Sequence, residues 1–362
     1  MAFNYYTIII GFLIGFILFF KLPRLKKIRR SKVADIKISV IIPARNEEDN
    51  LPKILTDLKK QSYDIHEIIC VDDNSEDATP EVIRDFGVKC IQLGDLPEGW
   101  KGKPWACQNG AKVATGDVLI FLDADVRLSN TAIELLAIRY QQGEKPLSIL
   151  PYHIIKNPHE FFSIFFNLIK ICGTAMSIIG IKKRFGLYGP VFMVKSTLFE
   201  RYGGFEGVKE SVAEDLNLGR YYVKNKVDMD LYLGGQDIRF RMYPSSFKDL
   251  LEGWSKNFSS GSISIRWWIL VLVFIWIASL NAVPLEMIRN FASGNYSQLV
   301  LLGFIYMVFA VLLFRIARRA GAYPIYVCLF YPFYLIVFEL IFIYSIFATF
   351  VIKNTTWKGR KL

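Results

Sequence analysis

An unbroken apolar segment followed at once by a basic run is the feature that most constrains this chain. Residues 5–20 contain no charged side chain, and residues 21–32 contain seven Lys or Arg and no acid. A helix of roughly 17 to 25 mainly apolar residues spans a bilayer. A cleaved signal peptide would carry its charges before the apolar core. This order therefore predicts a retained transmembrane helix at 1–22 and a basic juxtamembrane linker at 23–36, with the residues that follow on the cytoplasmic side.

Three more apolar stretches lie towards the C-terminus, at 267–285, 297–314 and 323–352. Together they predict a C-terminal transmembrane region at 266–352, of about three spans, followed by a basic tail at 353–362. Pro324 and Pro332 interrupt the last stretch. That stretch is therefore either one tilted span or a bent, re-entrant pair, and both interpretations stay open.

The distribution of charge excludes one class of partner. The formal net charge is +11, from 44 basic and 33 acidic residues. Fourteen of the basic residues border the apolar segments, which leaves 30 basic against 33 acidic residues elsewhere. Because no basic face remains in the polar body, we expect no nucleic-acid partner. The pattern instead predicts a multi-pass protein of the cell membrane whose polar body faces the cytoplasm and whose partner is the lipid membrane.

Residues 37–265 form that polar body, in which β-rich and helical patterns alternate. The β-rich runs lie at 37–44, 66–75, 88–93 and 117–125, and the helical patterns between them at 47–61, 78–87 and 105–114. Such alternation predicts a Rossmann-like α/β domain with a parallel sheet, whose ligands bind at the carboxyl ends of the strands. An apolar stretch at 161–181, interrupted by Asn167 and Lys170, predicts an interfacial helix lying flat on the membrane. A buried core helix is the alternative.

Acidic side chains follow two of the predicted strands and recur further along the chain. Asp72 and Asp73 end the second strand, and Asp123 and Asp125 end the fourth. Alternate residues of an extended segment point the same way, so we expect Asp123 and Asp125 to share one face. Two carboxylates in that arrangement suit Mg²⁺ or Mn²⁺ bound jointly with a diphosphate. A solvated turn or a helix cap would use the same residue types, but the placement after successive apolar strands favours a site.

Five motifs occur in a single order over about 200 residues, and together they resemble the family 2 glycosyltransferases of the GT-A fold. They are P-A-R-N-E-E at 43–48, V-D-D-N-S-x-D-x-T at 71–79, G-K-P-W-A at 102–106, L-D-A-D at 122–125 and A-E-D at 213–215. Three further segments, R-M-Y-P at 241–244, E-G-W-S-K-N at 252–257 and W-K-G-R at 357–360, narrow the resemblance. They are similar to the membrane-bound 4,4′-diaponeurosporenoate glycosyltransferases of carotenoid pathways.

The resemblance implies a role for each matching position. The nucleotide-sugar would be held by residues of the first three motifs and by the first acid of the fourth: Pro43, Ala44, Arg45, Glu47, Asp72, Asp73, Lys103 and Asp123. Asp125, with Asp123, would bind the divalent metal. Asp215 matches the general base that takes the proton of the acceptor, and Glu214 is the competing base. If the acceptor is a carboxylic acid, which is already ionised near neutral pH, Asp215 has no proton to remove.

The acceptor side is less defined. Trp254 is a candidate for stacking on the acceptor or for anchoring at the interface, and Arg241 and Lys256 are candidates for meeting the diphosphate or for a solvated surface. Glycines at 186 and 189 allow a close backbone approach, either at the acceptor side or in an ordinary hairpin. Processive relatives carry Q-x-x-R-W, where this chain has Q-D-I-R-F at 236–240. We interpret that segment as a strand, which argues against polymer synthesis.

These observations predict an inverting, metal-dependent enzyme that moves a hexose, with glucose from UDP-glucose favoured, to a lipophilic acceptor such as a carotenoid carboxylate. Polyprenyl phosphate or diacylglycerol is the alternative acceptor, and a phosphate would need cations such as those at 182–184. A membrane scaffold that only binds nucleotide-sugar is a third interpretation. The pattern does not define the sugar, the acceptor or the oligomeric state.

Overall fold

The computed structural model of the protein describes residues 2–25, 35–211, 214–254, 265–347, 356–357 and 360–361. These residues form two units. The first, called the α/β unit, comprises Pro23–His153 and Lys183–Arg241, and the second, the helical unit, comprises Met1–Leu22, Ile154–Lys182 and Met242–Leu362. Segments 154–182 and 242–254, both within the predicted polar body, thus belong to the helical unit.

Helices and strands alternate through the first half of the chain, and long helices dominate the last third. In chain order they are α1 (Ala2–Leu18), β1 (Ile38–Ala44), α2 (Leu51–Lys59), β2 (Glu67–Asp72), α3 (Thr79–Asp85), β3 (Lys89–Gln92), α4 (Gly102–Val113), β4 (Val118–Leu122), β5 (Val126–Leu128), α5 (Ala132–Gln141), β6 (Leu147–Leu150), β7 (Tyr152–His153), α6 (Ile164–Gly173), β8 (Val191–Lys195), α7 (Ser196–Arg201), α8 (Glu214–Lys224), β9 (Asp230–Leu233), β10 (Ile238–Phe240), α9 (247–254), α10 (Trp267–Ala292), α11 (Tyr296–Ala320), α12 (Ile325–Leu329), α13 (Tyr331–Phe347), β11 (Thr356–Trp357) and β12 (Arg360–Lys361). Short 3₁₀ helices lie at Pro158–Ser163 and Glu206–Val208.

A seven-stranded sheet in the order β3-β2-β1-β4-β8-β6-β9 forms the core of the α/β unit. Strand β1 pairs in parallel with β2 and β4, and β2 pairs in parallel with β3. Val40, Ile41 and Ile42 of β1 are fully buried because the central strand is covered on both faces, as is usual for parallel strands. The predicted Rossmann-like α/β fold is confirmed, with a sheet that is mixed rather than all parallel, since β8 runs antiparallel to both β4 and β6.

A smaller sheet in the order β5-β10-β7 completes this unit. Strand β10 is antiparallel to β5 and parallel to β7. Its residues, Ile238–Phe240, belong to the Q-D-I-R-F segment, so the interpretation of that segment as a strand agrees with the structure.

In the helical unit, α1 packs closely on α10 through two glycines one turn apart. A Cβ atom on Gly11 would lie 2.0 Å from the Cβ of Ser279, and one on Gly15 would lie 2.9 Å from the Trp276 ring. Small residues spaced by four allow helix backbones to approach each other in this way. The apolar N-terminal segment is therefore a helix built to pack against a specific partner within the same unit.

Two helices of the described chain, α10 and α11, are long and apolar enough to cross a membrane. The third predicted stretch, 323–352, is divided into the short helix α12 and the 17-residue helix α13. Pro324 caps α12 and Pro332 lies in the first turn of α13, positions where a missing N–H costs nothing. The described part of this stretch is thus bent.

The predicted interfacial segment 161–181 contains a shorter helix, α6, of ten residues. Nine of its ten residues are buried, and it contacts α10, α11 and α13 of the helical unit. Asn167 donates a hydrogen bond to the Tyr323 hydroxyl at 2.7 Å, which satisfies the polar group that interrupts the apolar pattern. This burial agrees with the core-helix alternative within the unit, and the position of the unit in a membrane stays a prediction.

Candidate active site

The carboxyl ends of β1, β2 and β4 lie at one edge of the sheet because these three strands are parallel. Arg45 follows β1, Asp72 ends β2 and Asp73 follows it, and Asp123 follows β4. Parallel sheets bind their ligands at this edge. The sequence prediction that the strand-end acids share one edge therefore agrees with the topology.

The loops after β1 and β2 are joined by a network of hydrogen bonds. The Arg45 guanidinium donates to the main-chain oxygen of Asp73 at 3.0 Å, and the Asp73 N–H donates to the oxygen of Ala44 at 2.8 Å. The Glu47 N–H donates to the Thr79 hydroxyl at 2.8 Å. Asp72 and Asp73 are 4% and 5% exposed. The predicted nucleoside residues Pro43, Ala44, Arg45, Glu47, Asp72 and Asp73 thus lie at the carboxyl ends of β1 and β2 and on the two loops that follow, which hold each other in place.

The D-A-D segment corrects one expectation. Asp123, Ala124 and Asp125 do not form an extended segment but a turn, which the Val126 N–H closes by donating to the Asp123 oxygen at 3.1 Å. The chain turns at this point because β4 belongs to the large sheet and β5 to the small one. The prediction that the two carboxylates alternate along a strand is wrong, although they remain close enough to influence each other's charge.

Lys103, from the first turn of α4, lies between two of the acids. Its Nζ is 2.5 Å from Asp123 Oδ1 and 3.7 Å from Glu214 Oε1. Burial alone would lower the pKa of Lys103, but the charges of Asp123 and Glu214 outweigh it and raise that pKa well above its usual range. The ammonium group is therefore a permanent cation that links the acid after β4 with the acid that begins α8.

The negative charge of ionised Asp125 is only partly offset by the protein itself. Burial, followed by the charges of Asp123 and Glu47, raises the pKa of Asp125 to about 7, and Lys103 offsets this only in part. A buried carboxylate flanked by other carboxylates favours a cation beside it. This is the chemistry expected of a divalent-metal ligand.

The carboxylates of the site fit a metal ion whose coordination is completed by substrate phosphates. Within the described ranges, no three His, Cys, Asp or Glu side chains are grouped so that they could hold a metal ion by themselves. Mg²⁺ and Mn²⁺ are commonly bound by one or two carboxylates plus substrate phosphates. Asp123 and Asp125 fit that mode of binding.

Glu214 and Asp215 begin α8 and differ in their surroundings. Asp215 Oδ2 accepts the Gly189 N–H at 3.0 Å, and Oδ1 accepts the Leu216 N–H at 2.8 Å. Glu214 contacts Lys103 instead, and its pKa is raised to about 7 by burial, which the Lys103 charge opposes and the Asp215 charge reinforces. Asp215 is therefore held in one orientation by two amides, and Glu214 is held by a charge.

Two glycines bring α8 against the loop that contains Gly189. A Cβ atom on Gly219 would lie 2.5 Å from the backbone of Gly186, and one on Gly186 would lie 2.7 Å from the Leu216 side chain. One on Gly189 would lie 3.1 Å from Lys103 Nζ. The loop and the helix N-terminus thus approach at distances that a larger side chain would prevent.

The three acceptor candidates have different surroundings. Arg241 follows β10, and its charge, after burial, contributes to lowering the pKa of His153 to about 3. Trp254 lies in the helical unit, where it is 2% exposed, stacks on Phe166 at 4.5 Å and donates its indole N–H to the Ser163 hydroxyl. Lys256 lies outside the described residues. Their roles in binding an acceptor stay predictions.

Three contacts of the site were not predicted from the sequence: the ion pairs of Lys103 with Asp123 and with Glu214, and the amide that Gly189 supplies to Asp215. The sequence hinted at the Gly189 contact through the G-L-Y-G-P segment at 186–190, because its two glycines permit a close backbone approach before the acidic motif. Nothing in the sequence indicated the role of Gly219, since a single glycine in a helical pattern does not show what packs against it.

Comparison with known proteins identifies the family of the chain. The family model for glycosyl transferase family 2 matches residues 39–211. A 4,4′-diaponeurosporenoate glycosyltransferase of Staphylococcus haemolyticus is 33% identical over 335 residues, which covers 90% of this chain and 88% of that protein. A protein of that name from Staphylococcus aureus (strain USA300) is 31% identical over 336 residues, with the same coverage.

A solved structure with a related fold is the mannosyltransferase from Pyrobaculum calidifontis in complex with GDP-Man and Mn²⁺. Its TM-score is 0.53 at 15% identity, over 95% of this chain and 96% of that one. The likeness confirms the GT-A fold. With the family match, the full-length relatives and the acidic site at the sheet edge, the chain belongs to the family 2 glycosyltransferases.

Proposed function

We propose that this glycosyltransferase is a membrane-anchored, metal-dependent, inverting enzyme that moves a hexose from a nucleotide-sugar to a lipophilic acceptor at the cytoplasmic face. The observation that carries the proposal is the cluster of Lys103, Asp123, Asp125, Glu214 and Asp215 at the carboxyl edge of the sheet. UDP-glucose is the favoured donor and a carotenoid carboxylate the favoured acceptor. The name of the relatives supports this acceptor class, and the apolar helices α10 and α11 support the membrane location.

In this proposal Asp215 acts on the acceptor. Each carboxylate oxygen has about two lone-pair sites, and the amides of Gly189 and Leu216 occupy one site on each oxygen. The remaining sites can receive the proton of an acceptor hydroxyl, as a general base requires. An acceptor carboxylate is already ionised, and Asp215 would then act on its orientation alone.

In the same proposal Lys103 and the D-A-D turn act on the donor. The Lys103 ammonium, already paired with Asp123, provides a fixed positive charge where the nucleoside diphosphate leaves. A divalent metal held by Asp123 and Asp125 would supply further positive charge to the diphosphate. The fold neighbour solved with GDP-Man and Mn²⁺ supports a metal of this kind. An inverting transfer on these groups needs no covalent intermediate on the protein.

The test is a transfer assay on purified protein in lipid vesicles with Mn²⁺. UDP-glucose is compared with GDP-mannose as donor, and a carotenoid carboxylic acid with polyprenyl phosphate and diacylglycerol as acceptors, with products identified by mass spectrometry. We expect UDP-glucose and the carotenoid acid to give product. UDP release that depends on the acceptor would eliminate a scaffold that only binds nucleotide-sugar. Full transfer by Asp125→Ala and Asp215→Asn would show that the site assignment is wrong.

Polyprenyl phosphate is the second candidate acceptor, because Lys182 and Lys183 are exposed and such cations would favour a phosphate head group. If product forms from polyprenyl phosphate and is lost when both lysines are replaced by alanine, the proposed acceptor becomes a lipid phosphate. The proposed catalytic residues stay the same.

Gly219→Ala is expected to lower kcat about tenfold to 100-fold, because even a displacement of about 1 Å can cost that much. The added Cβ would lie 2.5 Å from the backbone of Gly186, and α8, which carries Asp215, has to move away. The matched control is Gly207→Ala, whose Cβ would lie 3.8 Å from the Tyr221 ring, an ordinary contact. Steady-state kinetics of both variants check the prediction, and equal kcat values would contradict it.

The affinity for Mn²⁺ is expected to rise with pH up to about 7 and then to level off. Burial and neighbouring acids raise the pKa of Asp125 to about 7, so below that pH the metal competes with a proton on this carboxyl. The affinity then falls by up to about tenfold per pH unit. Titration calorimetry with UDP present measures the Mn²⁺ affinity of the wild type and of Asp125→Asn. Protonation of UDP affects both proteins equally, so a difference between their pH profiles reports the titration of Asp125. A pH profile identical in the two proteins would contradict the prediction.

A further inference from the structure

One buried hydroxyl in the α/β unit binds the backbone of the loop that reaches Asp215. Ser148, in β6, is 1% exposed. Its Oγ donates to the Tyr188 carbonyl oxygen at 2.8 Å and accepts the Tyr188 N–H at 2.7 Å. A single side chain thus holds both polar groups of one residue in the loop, and Tyr188 itself is fully buried.

The next two residues of that loop contact the site directly. The Gly189 N–H donates to Asp215 Oδ2 at 3.0 Å, and the Pro190 oxygen accepts the Asp123 N–H at 3.0 Å. Residues 188–190, which we call the bridge, therefore connect the serine of β6 with the acid at the start of α8 and the acid after β4.

The two ends of the bridge are held in different ways. Val191, immediately after it, pairs with Leu122 of β4 and Ile149 of β6, so the sheet holds that end. At the other end, β8 has not yet begun, and the Ser148 hydroxyl holds Tyr188. The direction of the Gly189 N–H depends on the peptide plane that Tyr188 shares with Gly189, because peptide groups are planar.

We propose that Ser148 is a positioning residue for the acceptor side of the reaction, acting through the backbone of Tyr188 and Gly189 on the orientation of Asp215. This inference rests on the proposed function, in which Asp215 faces the acceptor. Ser148 does not touch the reacting groups itself. The predicted nucleoside residues lie at the ends of β1 and β2, and the sheet holds the end of the bridge that contacts Asp123, so the effect of Ser148 falls on turnover rather than on nucleotide binding.

The experiment compares Ser148→Ala and the volume-matched Ser148→Cys with a control variant near the amino end of β1 in the same sheet. Ser39 is also fully buried, donates to Glu67 at 2.7 Å and accepts the Gly116 N–H at 2.9 Å, so Ser39→Ala removes the same kind of hydroxyl far from the acids. Thermal unfolding, kcat for transfer and the affinity for UDP by calorimetry are measured for all three variants, and for Asp215→Asn.

Both Ser148 variants are expected to lose kcat about tenfold to 100-fold with UDP affinity unchanged, because the carboxylate is misplaced. A thiol is a weak donor and acceptor, so cysteine should not rescue the activity. Ser39→Ala is expected to lose stability but to keep kcat.

Suppose that the wild type transfers sugar and that Asp215→Asn does not. Equal kcat values for Ser148→Ala and Ser39→Ala would then overturn this inference and leave the proposed function intact. A wild-type protein that transfers no sugar would overturn the proposed function and, with it, this inference.

Discussion

Replacing Asp125 with asparagine is expected to lower the rate of sugar transfer at least about a thousandfold, which corresponds to about 4 kcal/mol of transition-state stabilisation. The side chain keeps its shape but loses the charge that would hold a divalent cation against the diphosphate. Burial and two neighbouring carboxylates, Asp123 and Glu47, raise the pKa of Asp125 to about 7. A divalent cation would stabilise the ionised form of this carboxyl group. Initial rates with saturating UDP-glucose and Mn²⁺ measure the effect.

Asp117→Asn is the matched control for that variant. Asp117 precedes β4 at the end opposite to the D-A-D turn and is exposed. Its replacement removes one carboxylate without touching the acidic edge, and its rate should equal that of wild type. An Asp125→Asn protein that still transfers sugar within about tenfold of wild type would remove this residue from the metal site.

Asp215→Asn is expected to lower kcat about 100-fold to 10,000-fold for an acceptor that must lose a proton, the range usual for a general base. Two amides, of Gly189 and Leu216, donate to the two oxygens of Asp215. Asparagine has only one acceptor oxygen, so its NH₂ group would face one of these N–H donors. Two donors cannot bond to each other, and the side chain would turn away from this orientation. Both the basicity and the orientation of the side chain are lost together.

Glu214→Gln provides the comparison in the same assay. Glu214 contacts Lys103 and is not held by the amides that orient Asp215, so we expect the smaller loss, about tenfold, from the changed charge near Lys103. A larger loss for Glu214→Gln than for Asp215→Asn would transfer the role of base to Glu214. A carboxylate acceptor tested in parallel should make Asp215→Asn less severe, because no proton has to be removed.

The strands and their terminal acids were predictable from the sequence because both depend on short-range pattern. Strand β1 is buried on both faces and is apolar except for Ser39, and Asp72 and Asp123 follow the apolar runs at 68–71 and 118–122. The family resemblance rested on motifs within these same segments. The regions that were predicted less well are those where a partner from a distant part of the chain decides the conformation.

The D-A-D segment shows this most directly. As sequence it continues an apolar strand, and an extended backbone was the natural expectation. It forms a turn because β5 pairs with β10, more than one hundred residues later, in a separate sheet. Likewise, the local pattern of the apolar stretch 161–181 could not show that α6 packs against helices from the last hundred residues of the chain.

By itself, the sequence determined the apolar segments, the α/β alternation and the identity of the acids, because hydrophobic pattern and residue chemistry are local properties. Only the tertiary structure decided that Lys103 lies between Asp123 and Glu214, that Gly189 supplies an amide to Asp215, and that Ser148 holds the backbone before it. These contacts join residues that lie far apart in the sequence, or place backbone groups whose direction no side-chain pattern records. Folding brings them together, and hydrogen-bond geometry then gives each acid a different environment.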